Sequence, residues 1–263
     1  PDTYSGSSAQ YGFSDISSYI VEPQADYSVK LGNSNLQVLA GASWQQNIGE
    51  GHYLTGSGYS SDVLLQNMKD ASELIVQNYN YSKYRYQSVF GRATYNWRQK
   101  YLLNATFRRD GSSRFGPDKR FGNFGSVGAA WIFSSEDFIS NALPFLSFGK
   151  LRGSYGEQGN EDIGLYYAYT DYYYANGTGG YTPPSPSRKA NPDLQWESNS
   201  ILNVGVDFGI LNNRITGTID WFNRKSDNLL FDVPLPVSTG FASIWQNIGS
   251  MKNTGVEFQL GLV

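Results

Sequence analysis

The sequence predicts an all-β chain, an antiparallel sheet that forms part of a transmembrane β-barrel. Three observations predict it. Polarity alternates with period two along nine segments, nearly every second connection between segments is long, and the composition is aromatic but poor in charge. Aromatic and charged residues each make up 16% of the 263 residues, against about 25% charged in an ordinary soluble domain.

The alternation can be followed strand by strand. Leu36, Val38, Ala40, Ala42 and Trp44 interleave with Gln37, Ser43 and Gln45. Leu202, Val204, Val206 and Phe208 interleave with Asn203, Gly205 and Asp207, and Val256, Phe258, Leu260 and Leu262 with Gly255, Glu257, Gln259 and Gly261. Successive strand side chains point to opposite faces, so each segment carries one apolar and one polar face. In order, the predicted strands cover 15–31, 35–46, 84–98, 100–110, 121–133, 147–157, 195–209, 213–226 and 244–262. Several exceed the ~5–6 residues usual in soluble sheets and reach the ~9–11 that a tilted strand needs to cross a bilayer.

The connections at 47–83, 111–120, 158–194 and 227–243 are long, and those at 32–34, near 99 and at 210–212 are tight. Only 134–146 is of middle length. Long loops therefore gather at one end of the sheet and short turns at the other, the asymmetry of outer-membrane barrels. Inside the first long loop, Ser61-Asp62 can cap a helix that sets Leu64, Met68, Ala71 and Ile75 on one face.

Several function classes are excluded by composition. There is no Cys, and His52 is the single histidine, so disulfides, thiolate chemistry and two-histidine metal sites cannot be built from these residues. A net charge of −3 gives no footprint for nucleic acid. The longest apolar run, Val127 to Phe133, is seven residues, far short of the ~20 of a membrane-spanning helix. The start, Pro1-Asp2-Thr3-Tyr4, does not read as a signal peptide. Glu136-Asp137 reads as a helix-capping pair, and Glu157, Glu161 and Asp162 as loop carboxylates. Neither reading favours paired-carboxylate glycoside hydrolysis, so no enzyme activity and no cofactor are expected.

Ordered motifs then accumulate. Phe107-Arg108-Arg109-Asp110-Gly111-Ser112-Ser113-Arg114-Phe115-Gly116 precedes Lys119-Arg120-Phe121-Gly122, Ala130-Trp131 and Ser135-Glu136-Asp137-Phe138. Lys150-Leu151-Arg152-Gly153-Ser154-Tyr155-Gly156 and Gly159-Asn160 follow. Asn191-Pro192-Asp193-Leu194-Gln195-Trp196-Glu197, Asn247-Ile248-Gly249-Ser250-Met251-Lys252-Asn253 and Thr254-Gly255-Val256-Glu257 complete the series. In this order and spacing the set resembles the SusC/RagA-type TonB-dependent outer-membrane transporters of Bacteroidetes, over most of 84–263.

The resemblance implies a partial segment of a larger, plugged barrel in the outer membrane, importing oligosaccharides or peptides. It also implies a SusD-like surface lipoprotein as lid and a TonB complex acting through a segment near the N-terminus. The chain departs from the family pattern in showing neither plug nor TonB-contact sequence. Residues 1–263 are thus expected to be one partial barrel domain, completed by the plug and other strands of the parent protein and embedded in a lipid bilayer. A passive porin or adhesin barrel shares the alternation and the long outer loops without needing the motifs. A soluble carbohydrate-binding β-sandwich would instead turn the apolar faces toward each other.

Candidate contact residues fall in two groups. Tyr172, Tyr173, Tyr174 and Tyr181 in the long loop, with Trp196 at its end, offer flat apolar faces with polar tips for a substrate or a lid. The same tyrosines also suit plain extended strand beyond the membrane. Arg108, Asp110, Arg114, Arg152 and Asp220 are candidates for lining the lumen or meeting the plug, with Asp110 and Arg114 close enough to pair across a tight turn. Trp44, Trp97, Tyr101, Trp131, Phe133 and Trp221 are placed in an interfacial girdle.

Overall fold

In the computed structural model, residues 7–164, 172–173, 185–186 and 188–262 are described. They form β1 (Ser7–Val21), β2 (Gln24–Leu31), β3 (Ser34–Tyr59), β4 (Glu73–Trp97), β5 (Tyr101–Ser112), β6 (Phe121–Trp131) and β7 (Leu146–Asn160). The series continues with two-residue strands β8 (Tyr172–Tyr173) and β9 (Ser185–Pro186), then β10 (Glu197–Ile210), β11 (Ile215–Asp227), β12 (Leu230–Pro234), β13 (Ser243–Asn247) and β14 (Ser250–Leu262). One short helix, α1 (Asp137–Ala142), lies between β6 and β7. The all-β antiparallel architecture is as the alternation predicts.

The chain divides into two compact units. The larger, 22–44 with 86–263, orders its strands β2–β3–β4–β5–β6–β7–β10–β11–β14. Neighbours pair antiparallel in long unbroken registers, such as Ser198↔Asp227 to Ile210↔Ile215 between β10 and β11. Continuous pairing is what hydrocarbon demands, since a backbone N–H or C=O left unpaired there costs several kcal/mol. The smaller unit, 1–21 with 45–85, contains β1, the far half of β3 and the near half of β4. In it the Tyr11 hydroxyl donates to the Leu65 carbonyl at 2.7 Å and stands 2.6 Å from the Tyr59 hydroxyl, which therefore donates to Tyr11. His52 stacks on Phe13 with centroids 5.1 Å apart.

Besides the longer β3 and β4, three features differ from the sequence reading, each for a local reason. The single strand at 15–31 is two, because Pro23 has no N–H to give to a ladder; its carbonyl still accepts from the Ala42 N–H at 3.1 Å. The strand at 244–262 breaks at Ile248-Gly249, where Gly249 takes φ +82°, so β13 pairs with β12 as a separate hairpin. The helix expected after Ser61 is replaced by two 3-10 turns, Asp62–Gln66 and Met68–Asp70, inside a connection shortened by the extension of β3 and β4. Ser61 does cap the first turn, accepting from the Val63 N–H. Asn67 then interrupts the run: its side chain accepts from the Lys69 N–H at 3.1 Å and donates to Asp70 at 2.7 Å, a local pairing that competes with helix propagation.

The registers separate two faces in the larger unit. On one side Tyr101, Leu103 and Phe107 of β5, Val127 of β6, Leu151 and Tyr155 of β7, Val204 of β10, Trp221 of β11 and Val256 and Phe258 of β14 are all substantially exposed. The other side carries Asn104, Arg108, Arg152, Asp207, Asp220 and Glu257. An apolar face this broad on a monomer is what a lipid-facing wall presents. The described residues hold no second sheet against it, as a β-sandwich would require.

The tight-turn end carries an aromatic rim. Trp97 and Tyr101 lie with centroids 5.2 Å apart, Tyr101 and Trp131 stack nearly parallel at 6.5 Å, and Phe133 meets Trp131 edge-on at 5.9 Å. Glu136 holds this rim to the turn. Its carboxylate accepts from the Tyr101 hydroxyl at 2.7 Å, from Lys100 Nζ at 3.0 Å and more distantly from the Trp131 indole. The expected capping role is corrected here: Glu136 occupies the position before α1, but its side chain makes no capping hydrogen bond.

The Tyr101 and Lys100 hydrogen bonds hold the Glu136 carboxyl below the usual carboxylate range. A depressed carboxylate adds stability that is present above its unfolded pKa and is lost as pH falls through its folded one. Glu136→Gln is therefore expected to unfold at lower temperature than wild type at neutral pH. The gap should close on acidification below the ordinary carboxylate range, measured as thermal midpoints in detergent from pH 7 to pH 3.

Candidate functional site

Two polar constellations and one packed cluster occupy the side of the sheet opposite the apolar face. The first lies where β7, β10 and β11 run side by side. Gly205 sits directly between Arg152 and Asp220 in the paired registers. Having no side chain, it lets those two close over it: Arg152 Nη2 donates to Asp220 Oδ2 at 2.7 Å. Arg152 Nε also reaches Asp207 at 3.3 Å, and Lys150 Nζ lies 3.4 Å from the same carboxylate. A Cβ on Gly205 would stand 2.1 Å from Asp220 Oδ1 and 2.9 Å from Arg152 Cζ, so the ion pair and a larger residue exclude each other. Asp220 Oδ1 is buried without a hydrogen-bond donor, in the space that a side chain at Gly205 would fill. Glu257 pairs with Asp220 across β14, so this patch carries three carboxylates against two cations.

The second constellation lies toward the long loops. Arg108 Nε donates to Asp110 Oδ1 at 2.6 Å, and the guanidinium also bonds the Tyr86 hydroxyl and reaches Ser88 Oγ at 3.3 Å. It lies 5.9 Å from the centre of the Tyr86 ring and 5.5 Å from that of Phe90, a caged cation. The expected pairing of Asp110 with Arg114 is corrected: Asp110 is buried and pairs with Arg108. Arg114, past the strand end, turns the other way and donates to the carbonyls of Glu161 and Ile163. The alternation explains it, since Arg108 and Asp110 share a face two residues apart.

Trp196 is in the packed cluster. It is 8% exposed, with Phe115, Ile163 and Leu194 as buried companions. Its indole donates to the Arg120 carbonyl at 3.0 Å, and its ring meets Phe115 at 5.2 Å and Phe124 at 5.5 Å. The indole is thus committed to internal packing. Gly116 lies so close to Pro192 that a Cβ would be 2.6 Å from its carbonyl oxygen. Asn247 exchanges hydrogen bonds with the Gln195 backbone at 2.9 and 2.7 Å, and Asn191 donates to the Trp245 carbonyl at 2.7 Å.

Three motifs far apart in sequence, around Phe115, Trp196 and Asn247, therefore form one body at the long-loop end. Sequence reasoning picked out these motifs without assigning them this shared role. Phe124, Leu230 and Trp245 also pack against the body, and nothing in their local sequence marks them as its contacts. Of the tyrosine group, Tyr172 and Tyr173 lie in β8, which pairs with β9. Tyr174 and Tyr181 lie outside the described residues.

A two-faced antiparallel wall, with caged and paired charges on one side and an apolar band with an aromatic rim on the other, defines a transmembrane barrel segment. Residues 1–262 match the family described as TonB dependent receptor-like, beta-barrel. The chain belongs to that family, as a barrel segment of SusC/RagA type in the outer membrane. It is 39% identical to the TonB-dependent receptor SusC of Bacteroides thetaiotaomicron over 242 residues, which is 89% of this chain and 24% of that one. It is 38% identical to the TonB-dependent receptor P39 of Formosa agariphila over 176 residues, 66% of this chain and 17% of that one. Among solved structures, the RagAB peptide importer in its closed-closed state superposes with a TM-score of 0.83 at 31% identity, covering 95% of this chain and 28% of that one. The chain thus spans about a quarter of the length of SusC.

Two variants probe these arrangements. Gly205→Ala is expected to separate Arg152 from Asp220 and destabilise the barrel by about 1–3 kcal/mol. Asp220→Ala should then add little in the Gly205→Ala background, a non-additivity read by a double-mutant cycle of thermal midpoints. Trp196→Ala removes the centre of the loop body at a cost of about 3–5 kcal/mol. It should render the long loops sensitive to protease added to intact cells while the strands stay protected.

Proposed function

We propose that the parent protein is an energised importer that takes up oligosaccharides or peptides too large for passive diffusion. The observation that carries this reading is the charged face of the sheet. Its Arg and Asp side chains are paired or caged where a barrel lumen would lie, which suits a wall packed against a plug better than an open aqueous pore. In this reading Arg108, Asp110, Arg152 and Asp220 line the lumen or meet the plug, and Arg114 braces the loops above. The transport step involves no covalent chemistry.

A SusD-like lipoprotein would sit over the long loops. The tyrosines of the loop that leads into Trp196 would supply the lid or substrate contact, with Trp196 itself holding the base of that loop. A TonB complex would pull from the periplasm, and other strands of the parent would close the sheet beyond β2 and β14. Family membership supports the reading, and the RagAB neighbour is itself a peptide importer.

The test is uptake by cells expressing the full-length parent. Labelled oligosaccharides and peptides of graded size are expected to enter only while the inner membrane is energised, and entry should stop on treatment with a protonophore. The tagged parent should also co-purify with a surface lipoprotein. Uptake of small solutes that is insensitive to the protonophore would identify a passive porin instead.

A further inference from the structure

We propose that the outward face of the larger unit holds one glycerophospholipid of the inner leaflet, its acyl chain in a groove across β5, β6, β7 and β10 and its phosphate on Arg98. The inference rests on the outer-membrane reading above and goes beyond it by naming a site.

The groove follows from four paired residues. Leu103, Ala129, Gly153 and Val204 lie side by side across the four strands. Side-chain height therefore falls from leucine to alanine to nothing and rises again at valine. Trp131 and Leu151 wall the trough on the side of the tight turns. The resulting cavity has a volume of ≈ 450 Å³ and opens on the apolar face, within the ~300–1,000 Å³ range of ligand clefts.

Hydrocarbon alone would not choose this groove, because lipid tails are as apolar as its lining. A trough does give an alkyl chain more close contacts than a flat wall gives, and the selective element is a cation beside it. Arg98 and Gln99 form the tight turn between β4 and β5, both with positive φ (53° and 55°), and the Arg98 N–H is tied to the Asn33 carbonyl at 2.8 Å. Its guanidinium lies 5.1 Å over the ring of Trp97, and Trp97 is itself part of the groove lining. Among the described residues no carboxylate pairs with Arg98, whereas Lys100 is taken by Glu136 at 3.0 Å.

A guanidinium held at the polar edge of the apolar band, and left without an anion, suits a phosphate that it can grip with two N–H groups. The groove lies at the tight-turn end, which in this barrel class faces the periplasm. That placement points to the phospholipid leaflet and away from lipid A on the outside.

The experiment is native mass spectrometry of the full-length parent in mild detergent, with phosphatidylethanolamine, phosphatidylglycerol or lipid A added separately. Wild type is expected to retain one phospholipid per barrel and to prefer it to lipid A. Gly153→Leu fills the trough and Arg98→Gln removes the cation; each should weaken retention about tenfold. Phe258→Leu, on the same face but away from the groove, should change nothing. Ala129→Leu fills the same trough from the neighbouring strand and replaces Gly153→Leu should that variant fail to fold. Heat-dependent mobility in SDS gels reports the folded barrel, so its absence in wild type would count against the barrel reading itself. With the barrel intact, three results would overturn the site: no retained phospholipid in wild type, preference for lipid A, or wild-type retention in Arg98→Gln or in the trough-filling variants.

Discussion

The structure depends on the unbroken backbone ladder. In hydrocarbon no water stands ready to pair with a peptide group, so each strand must bond its neighbours along its whole spanning length. The larger unit pairs strand to strand from β2 to β14 in antiparallel order. Continuous pairing fixes the register, and the register assigns every side chain to one of two faces. The oily band and the row of paired charges are two consequences of that one constraint. A slip by a single residue would bring Arg152 and Asp220 to the lipid and Leu151 and Ile219 to the lumen.

Within that frame, glycine sets where side chains can meet across strands. Gly205 leaves a gap through which Arg152 and Asp220 reach each other over an intervening strand. Gly153 leaves a gap on the opposite face, and there the outcome is a groove. Gly116 does related work outside the sheet by admitting the Pro192 carbonyl. Glycine, at 29 of the 263 residues, thus has a concrete use at these positions, because a wall carrying large aromatic and arginine side chains needs empty places beside them.

Much of this was legible in the residues. The period-two pattern and the alternation of long and short connections placed the main strands, and the ordered motifs pointed to the family. The hairpin β12–β13, the extension of β3 and β4 and the two 3-10 turns were not legible. The φ of Gly249 sets off the hairpin, the pairing of Asn67 with Lys69 and Asp70 interrupts the helix, and the missing N–H of Pro23 divides the strand expected at 15–31; no local group marks the extension of β3 and β4. The site was legible in part. Arg152 and Asp220 were chosen as polar inward residues, but their contact passes over Gly205, and only the register of three strands reveals it. Asp110 was assigned to Arg114 by sequence proximity, while alternation already favoured Arg108 on the same face. Trp196, a candidate substrate or lid contact at the end of the long loop, is instead packed inside, and its burial depends on Phe115 and Phe124, far away in sequence.

The most direct test of the two-faced wall is a spin-label scan along β10 in the full-length parent, reconstituted in lipid bilayers, with one cysteine introduced at a time from 201 to 208. Collision with molecular oxygen, which concentrates in lipid, should be high at Leu202, Val204, Val206 and Phe208. At Asn203 and Asp207 it should be low, with period two. Uniform accessibility along the strand, or high oxygen collision at the odd-numbered positions, would contradict the account.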